Sequence, residues 1–477
     1  MTWPEIEPST SHLTYLLLSF FLILYALFSE LIRNRAHLSE PPLATLAGVA
    51  FGPQAATVLD PFEWGWADNI TQELTRVVIG VQVFTAGIEL PPKYIKNHWR
   101  GVGLLLGPNM VFGWLVCTAI IYFVLGVSFK TALIVAACLT PTDPVLSASV
   151  LGEARFSQRI PKRVRHILSA ESGCNDGSAF PLIYAGLYAA LSKSAGEGVK
   201  EWFLNVIIWQ CGVGIAIGVL LGYTANRALR FAETRNMTQE SALFVFYFLL
   251  AFFNVGVGST LGLDDFLVCF SAGQAFCWDG WFAEKTHKMK LPSIIDLLLN
   301  STMFVYFGSI IPWQKFHGNL SAGRLTLVAV MVLLFRRLPA ILALKRFIPE
   351  IRTWHEALFA GHFGPMGVAA IFLAMEARAR LETGTSIVLP HPPKDLDHHE
   401  ETIQEVWPII SYVVLWSVMI HGFSAVVMAA IGHFSRHEKE RHPLLGSETG
   451  RLYGMANEDG DLTDGDGDGD DDGNGEL

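Results

Sequence analysis

The 477-residue chain is 51% hydrophobic and only 16% charged, with a mean hydropathy of +0.37, which excludes an ordinary soluble globular domain. Its formal net charge of -10 comes largely from residues 458–476, where Asp alternates with Gly. The acidity therefore describes a tail rather than a binding face, and no nucleic-acid partner is expected.

Apolar blocks near the length of about 17–25 residues that a spanning helix needs follow one another at 13–29, 40–60, 72–90, 100–126, 130–151, 163–193, 203–229, 240–257, 262–278, 293–312, 324–346, 354–377 and 405–433. The chain reads as an all-α polytopic membrane protein of about thirteen helices. The first block has no clear cleavage site and is followed by a second, so it is read as a retained helix. Arg33, Arg35, Lys93, Lys96, Arg100, Arg163, Arg165, Arg227, Arg230, Lys345 and Arg346 fall in alternate loops, and few basic residues fall in the others. The basic face is expected in the cytoplasm, with the N-terminus outside and the C-terminus inside. All six cysteines lie in apolar segments and show no disulfide frame.

In the fifth block, Thr140-Pro141-Thr142-Asp143-Pro144 interrupts the apolar run. Each proline removes an amide donor and disfavours helix before it, so the backbone there should unwind and free carbonyls for a cation. Broken backbone at membrane depth survives only inside protein or around a cavity. The sixth block carries Glu171, Ser172, Asn175 and Asp176 among small residues. A carboxylate at that depth costs about 2.5–3.5 kcal/mol on insertion scales, so these acids mark an ion path. Ser172 and Asp176 share a helix face. With Asp143 and carbonyls near Thr142 they could supply the oxygens of a hard-cation site.

Arg336 and Arg337 sit mid-block at 324–346 and need a carboxylate partner. Glu171 with Arg336 is the favoured brace, which leaves Asp176 free to titrate; an arginine on Asp176 itself is the competing arrangement. A second broken segment is Gly361-His362-Phe363-Gly364-Pro365-Met366-Gly367. Paired interrupted spans in opposite directions suggest the inverted repeats of a secondary transporter. His362 could sense pH or be a satisfied buried histidine. The polar stretch 378–405, with His391, His398 and His399, reads as a solvated extracellular loop. Asp464, Asp466, Asp468 and Gly469 begin like a calcium loop, but Gly475 stands where its bidentate acid belongs. Residues 442–477 are therefore expected to be a disordered cytoplasmic acidic tail, following a transmembrane domain over 1–441.

Phe28-Ser29-Glu30, Phe51-Gly52-Pro53, Asp60-Pro61-Phe62, Ala86 to Pro91 with Glu89 inside it, Thr142 to Ser147, Ala170 to Gly177, Arg336 to Pro339, Trp354 to Gly367 and His421-Gly422-Phe423 resemble the fungal plasma-membrane sodium/proton antiporters of the monovalent cation:proton antiporter superfamily. The resemblance implies the antiporter fold of thirteen helices with two crossed, unwound helices, in a homodimer with a dimerisation domain and a mobile core moved by an elevator-like step. It implies that Asp176 carries the proton or cation, with Asn175 before it, Asp143 and Thr142 on the crossed helix, Ser172 as a hydroxyl ligand, and Glu171 with Arg336 as the core ion pair. Asp264 and Asp265 match acids that fungal members need for transport; the residues alone give only a helix N-terminal pair. The implied activity is export of sodium and lithium, with potassium a further candidate, against external protons. Salt tolerance and pH homeostasis at the plasma membrane would follow, with no cofactor. The short tail points to the sodium- and lithium-preferring type.

Two departures bear on this. Met366 stands where animal exchangers have an arginine, and Asn175 replaces the first of two adjacent aspartates while the 293–312 block has no lysine. One titrating carboxylate implies one-for-one, electroneutral exchange. A proton-independent cation channel, or an intramembrane aspartyl protease using Asp143 and Asp176, are the alternatives from other classes.

Overall fold

The computed structural model describes residues 9–434 apart from positions 37, 66, 145, 148–159, 287–290, 319 and 391–398. The acidic tail, the calcium-like run, His391 and His398 lie outside the described residues.

The apolar blocks form helices in the expected order. They are α1 (Thr10–Glu30), α2 (Glu40–Phe51), α3 (Ala67–Glu89), α4 (Trp99–Leu125), α5 (Phe129–Cys138), α6 (Lys162–Ser178), α7 (Phe180–Leu191), α8 (Ala195–Thr234), α9 (Glu240–Leu261), α10 (Asp265–Phe276), α11 (Leu291–Ile310), α12 (Ala322–Phe335), α13 (Leu338–Leu344), α14 (Trp354–His362), α15 (Val368–Thr383) and α16 (Glu400–Phe434). By length and composition alone, five stretches among the described residues can cross a membrane: α1, α4, α8, Ala322–Phe347 and Glu400–Ser424. Shorter apolar stretches among the described residues are Phe129–Cys138 of α5, Val245–Leu261 of α9 and Ile294–Ile310 of α11.

Two expectations are corrected at helix ends. The 40–60 block is helical only to Phe51, because Gly52 and Pro53 end it. The 378–405 loop is shorter than expected, because α15 continues to Thr383. Its Arg378 is buried against Asp68 at 2.9 Å and Glu382 at 3.0 Å, and Arg380 holds Glu376 at 3.0 Å, so these arginines extend the helix instead of entering water.

The helices pack in two groups, one built from α2, α3 and α8–α11, the other from α4, α5, α7 and α12–α16, which meet through α6 and α15 and also where α7 packs on α8 and α16 on α2. Backbones approach closely within the first group: at Gly222 of α8 a Cβ would run into the Ala272 carbonyl of α10. Without a hydrophobic drive between helices in lipid, such small-residue contacts supply the association. From Val368 to Ala379, α15 is buried on every side, which places it at the centre of the molecule.

Candidate ion-binding site

Helix α5 ends at Cys138, and backbone from Leu139 to Asp143 runs on without helix because prolines at 141 and 144 withhold their donors. Between α14 and α15, residues 363–367 are likewise irregular. The two breaks meet. Asp143 N–H donates to the Pro365 carbonyl at 2.8 Å, and Val368 N–H donates to Asp143 Oδ2 at 2.8 Å. Asp143 Oδ1 accepts from Leu146 N–H at 2.9 Å. One buried carboxylate thus caps the half-helices that leave both breaks, where the partial positive charge of a helix start favours an anion. Gly367 permits this, since a Cβ there would overlap Asp143 Oδ2.

The opposite ends carry orphaned carbonyls, and Arg336 answers them. Its Nη1 donates to the carbonyls of Leu139, Thr140 (3.1 Å) and Pro141 (3.2 Å), and its Nη2 to that of Gly364. Of the unwound carbonyls expected near Thr142 to be free for a cation, those of Leu139, Thr140 and Pro141 are therefore taken by a guanidinium. The expected brace of Arg336 with Glu171 is also corrected. Arg337 forms that pair, Nη1 to Oε1 and Nη2 to Oε2 at 2.6 Å, while its Nε donates to the Ala360 carbonyl at 2.8 Å. The helix breaks between α12 and α13 at these two residues, with Arg336 still helical and Arg337 at φ -124°, so adjacent side chains diverge. Asn109 Nδ2 donates to Glu171 Oε1 at 3.4 Å.

Helix α6 lies across the first break. Asn175 clamps it from two sides: its Oδ1 accepts from Thr142 N–H at 3.2 Å, and its Nδ2 donates to Thr142 Oγ1 at 2.7 Å. Ser172 Oγ is 3.0 Å from Thr142 Oγ1 and 3.4 Å from Ser147 Oγ, so three hydroxyls cluster one turn before Asp176. Asp176 itself is fully buried, and neither carboxylate oxygen has a hydrogen-bond partner among the described residues. Among the described residues no arginine forms an ion pair with it. Asp143 and Asp264 are the carboxylates that act on it electrostatically. A lone carboxylate in such surroundings is held either by a proton or by a cation, since its bare charge is too costly.

Asp264 is the N-cap of α10, its Oδ1 accepting from Phe266 N–H at 3.1 Å and Leu267 N–H at 3.0 Å, and it abuts Gly177 beside Asp176. Asp265 turns away to Ser259 Oγ at 2.9 Å and Arg76 Nε at 3.5 Å. Glu89 is the last residue of α3 and is exposed. His362 ends α14, exposed, its Nε2 2.8 Å from Ser424 Oγ and its ring beside that of His421.

Sequence reasoning missed Asn109, Ser147 and Ser417, whose Oγ accepts from Met366 N–H at 2.7 Å. Asn109 carried a signal, as a lone amide in an apolar block; one more serine in a long apolar helix carries none.

The family model for the sodium/hydrogen exchanger, transmembrane, matches residues 17–430. The chain is 42% identical over 432 residues to a probable Na+/H+ antiporter of Schizosaccharomyces pombe, covering 89% of this chain and 57% of that one. It is 34% identical over 448 residues to a second Na+/H+ antiporter of that yeast, covering 91% and 93%. The chain spans about half the length of the first curated relatives it matches. Its fold is similar to that of the sodium proton antiporter MjNhaP1 of Methanocaldococcus jannaschii, with a TM-score of 0.64 and 18% identity over 88% of this chain and 97% of that one.

Proposed function

This chain belongs to the sodium/hydrogen exchanger family, and from that premise we propose that it is a secondary active antiporter that exports cytosolic sodium in exchange for external protons. The observation that carries the reading is the fully buried Asp176, whose two oxygens have no hydrogen-bond partner among the described residues, one turn from Ser172, where the Thr142 and Ser147 hydroxyls gather. The family is one of transporters, not of enzymes, so the protease alternative falls away.

In this reading external acid protonates Asp176 in an outward-open state. The protonated carrier crosses, cytosolic sodium displaces the proton, and the loaded carrier returns. Bare Asp176 does not cross, because an uncompensated charge in low dielectric is costly, and that prohibition couples the two fluxes. Thr142 and Ser172 complete the cation's oxygen shell, while Asn175 holds Thr142 in place. Asp143 and Arg336 hold the broken helix ends, and Glu171 with Arg337 braces them. With one carboxylate the exchange is one-for-one and electroneutral. One pH unit, about 1.36 kcal/mol, then sustains a roughly tenfold sodium gradient.

Lithium belongs with sodium as a substrate, and potassium is the next to test. The distribution of basic loops supports a plasma-membrane protein with its N-terminus outside and its C-terminus in the cytoplasm, and in this reading the two packing groups serve as the mobile core and the dimerisation domain of a homodimer. A chain of this kind would serve salt tolerance and pH homeostasis.

The test is proton flux in vesicles containing the purified chain, acid inside, on addition of sodium, lithium or potassium. Proton release that requires the cation and vanishes in Asp176→Asn supports the reading; cation entry without proton release in the wild type overturns it.

A further inference from the structure

Between the two packing groups lies a cavity of ≈ 790 Å³, walled by α4, α6 and α7 on one side, with Cys174 and Ser178 of α6 among its walls, and by α8 and α10 on the other. Its depth is apolar, with Leu106, Leu182, Ile215 and Phe270 among the walls, and its volume falls in the range of about 300–1,000 Å³ that small-ligand sites occupy. One end is different in kind. Lys93, Lys96 and Trp278 stand at it. Both lysines are exposed, and neither is engaged in an ion pair among the described residues. Trp99, 63% exposed, and Trp278, 43% exposed, have the placement of tryptophans at the membrane–water boundary. Lys93 is moreover held at φ +59°, the left-handed region that favours glycine.

We propose that this cavity is a binding site for one anionic phospholipid, its acyl chain between the two helix groups and its headgroup on Lys93 and Lys96. The depth suits hydrocarbon, the mouth lies at headgroup level, and the two ammonium groups meet a negative headgroup. These lysines are on the face proposed to be cytoplasmic, whose leaflet carries the anionic lipids. The lipid contacts both groups at once, so its presence restrains their relative movement. That last consequence rests on the antiporter reading, whereas the binding itself does not.

Native mass spectrometry of the full chain with phosphatidylserine or phosphatidylcholine of matched acyl chains tests the site without any transport readout. A retained phosphatidylserine in preference to phosphatidylcholine is expected. Each lysine near a headgroup contributes about fivefold in affinity, so Lys93→Gln with Lys96→Gln should lose about 25-fold for phosphatidylserine and leave phosphatidylcholine unchanged. Ala185→Phe, which fills the apolar wall, should weaken both lipids, and an unaltered melting temperature without lipid shows that it folds. Equal retention of the two lipids by the wild type, or a preference that survives the double lysine variant, overturns the proposal. If Ala185→Phe instead dissociates a dimer by light scattering while lipid retention is unchanged, a second copy occupies the cavity and the lipid assignment falls.

Discussion

Asp143 and Arg336 divide four broken helix ends between them. The carboxylate accepts from the N–H groups of Leu146 and Val368, and the guanidinium donates to the carbonyls of Leu139, Thr140, Pro141 and Gly364. One acid and one base therefore replace the backbone bonds that two interrupted helices lack, in a place where water is not available to do so. The charges are matched to the helix ends they face, negative at the N-terminal side and positive at the C-terminal side.

Asp143→Asn tests this division. The amide has one acceptor and one donor group where two N–H groups converge, so one N–H loses its partner. The variant should be destabilised by about 1–3 kcal/mol, the cost of a buried unsatisfied donor. Thermal and SDS-driven unfolding of the purified chain check it, and stability equal to the wild type would show that Asp143 is not a helix cap.

A double-mutant cycle separates the two arginines. Arg337→Ala leaves Glu171 as an uncompensated buried charge and should cost about 3–5 kcal/mol. Much of that cost should disappear in the Glu171→Gln background, giving a coupling of about 0.5–3 kcal/mol. Arg336→Ala also costs stability, through orphaned carbonyls, but should add to Glu171→Gln without coupling of that size. Strong coupling at Arg336 and none at Arg337 would restore the pairing expected from sequence.

That reversal shows where the sequence is legible. Breaks at 139–143 and 363–367 could be read because proline and glycine act locally, through donors and φ angles. The burial of Glu171, Asn175 and Asp176 could be read because charged and amide groups inside apolar blocks have few other places to go. Which of two adjacent arginines meets Glu171 could not be read, since the helix is interrupted between them and its periodicity does not carry across. The clamp of Asn175 on Thr142 was equally hidden, because it depends on how α6 crosses a loop that is distant in chain. The extent of α15 was misread because Arg378 and Arg380 looked like solvated residues until Asp68 and Glu376 were placed beside them.

Gly367→Ala should damage the crossing without touching any charge. The added methyl overlaps Asp143 Oδ2, so the carboxylate must leave the Val368 N–H or the two breaks must separate. Overpacking of this kind costs about 1–3 kcal/mol. A lowered melting temperature with reduced cation-driven proton flux is expected, and a variant as stable and active as the wild type would refute the close approach.

The carrier assignment makes a sharper demand on pH dependence. Asp176 has no hydrogen-bond partner among the described residues to lose, so Asp176→Asn should fold with a melting temperature at or above that of the wild type, because the amide removes a charge that burial disfavours. In the wild type, proton and sodium compete for the same oxygens. Below the carboxyl's own titration, the apparent sodium affinity should therefore fall about tenfold for each unit of acidification, one proton displaced per cation. Above it the affinity should be flat. If Asp143 titrated together with Asp176, the fall would steepen to about a hundredfold per unit, and the exchange could not be one-for-one. Isothermal titration of the purified chain with sodium across a pH series gives that slope directly, and proton release measured in two buffers of different ionisation enthalpy counts the protons independently. A slope near zero would remove Asp176 as the shared site, whatever its burial.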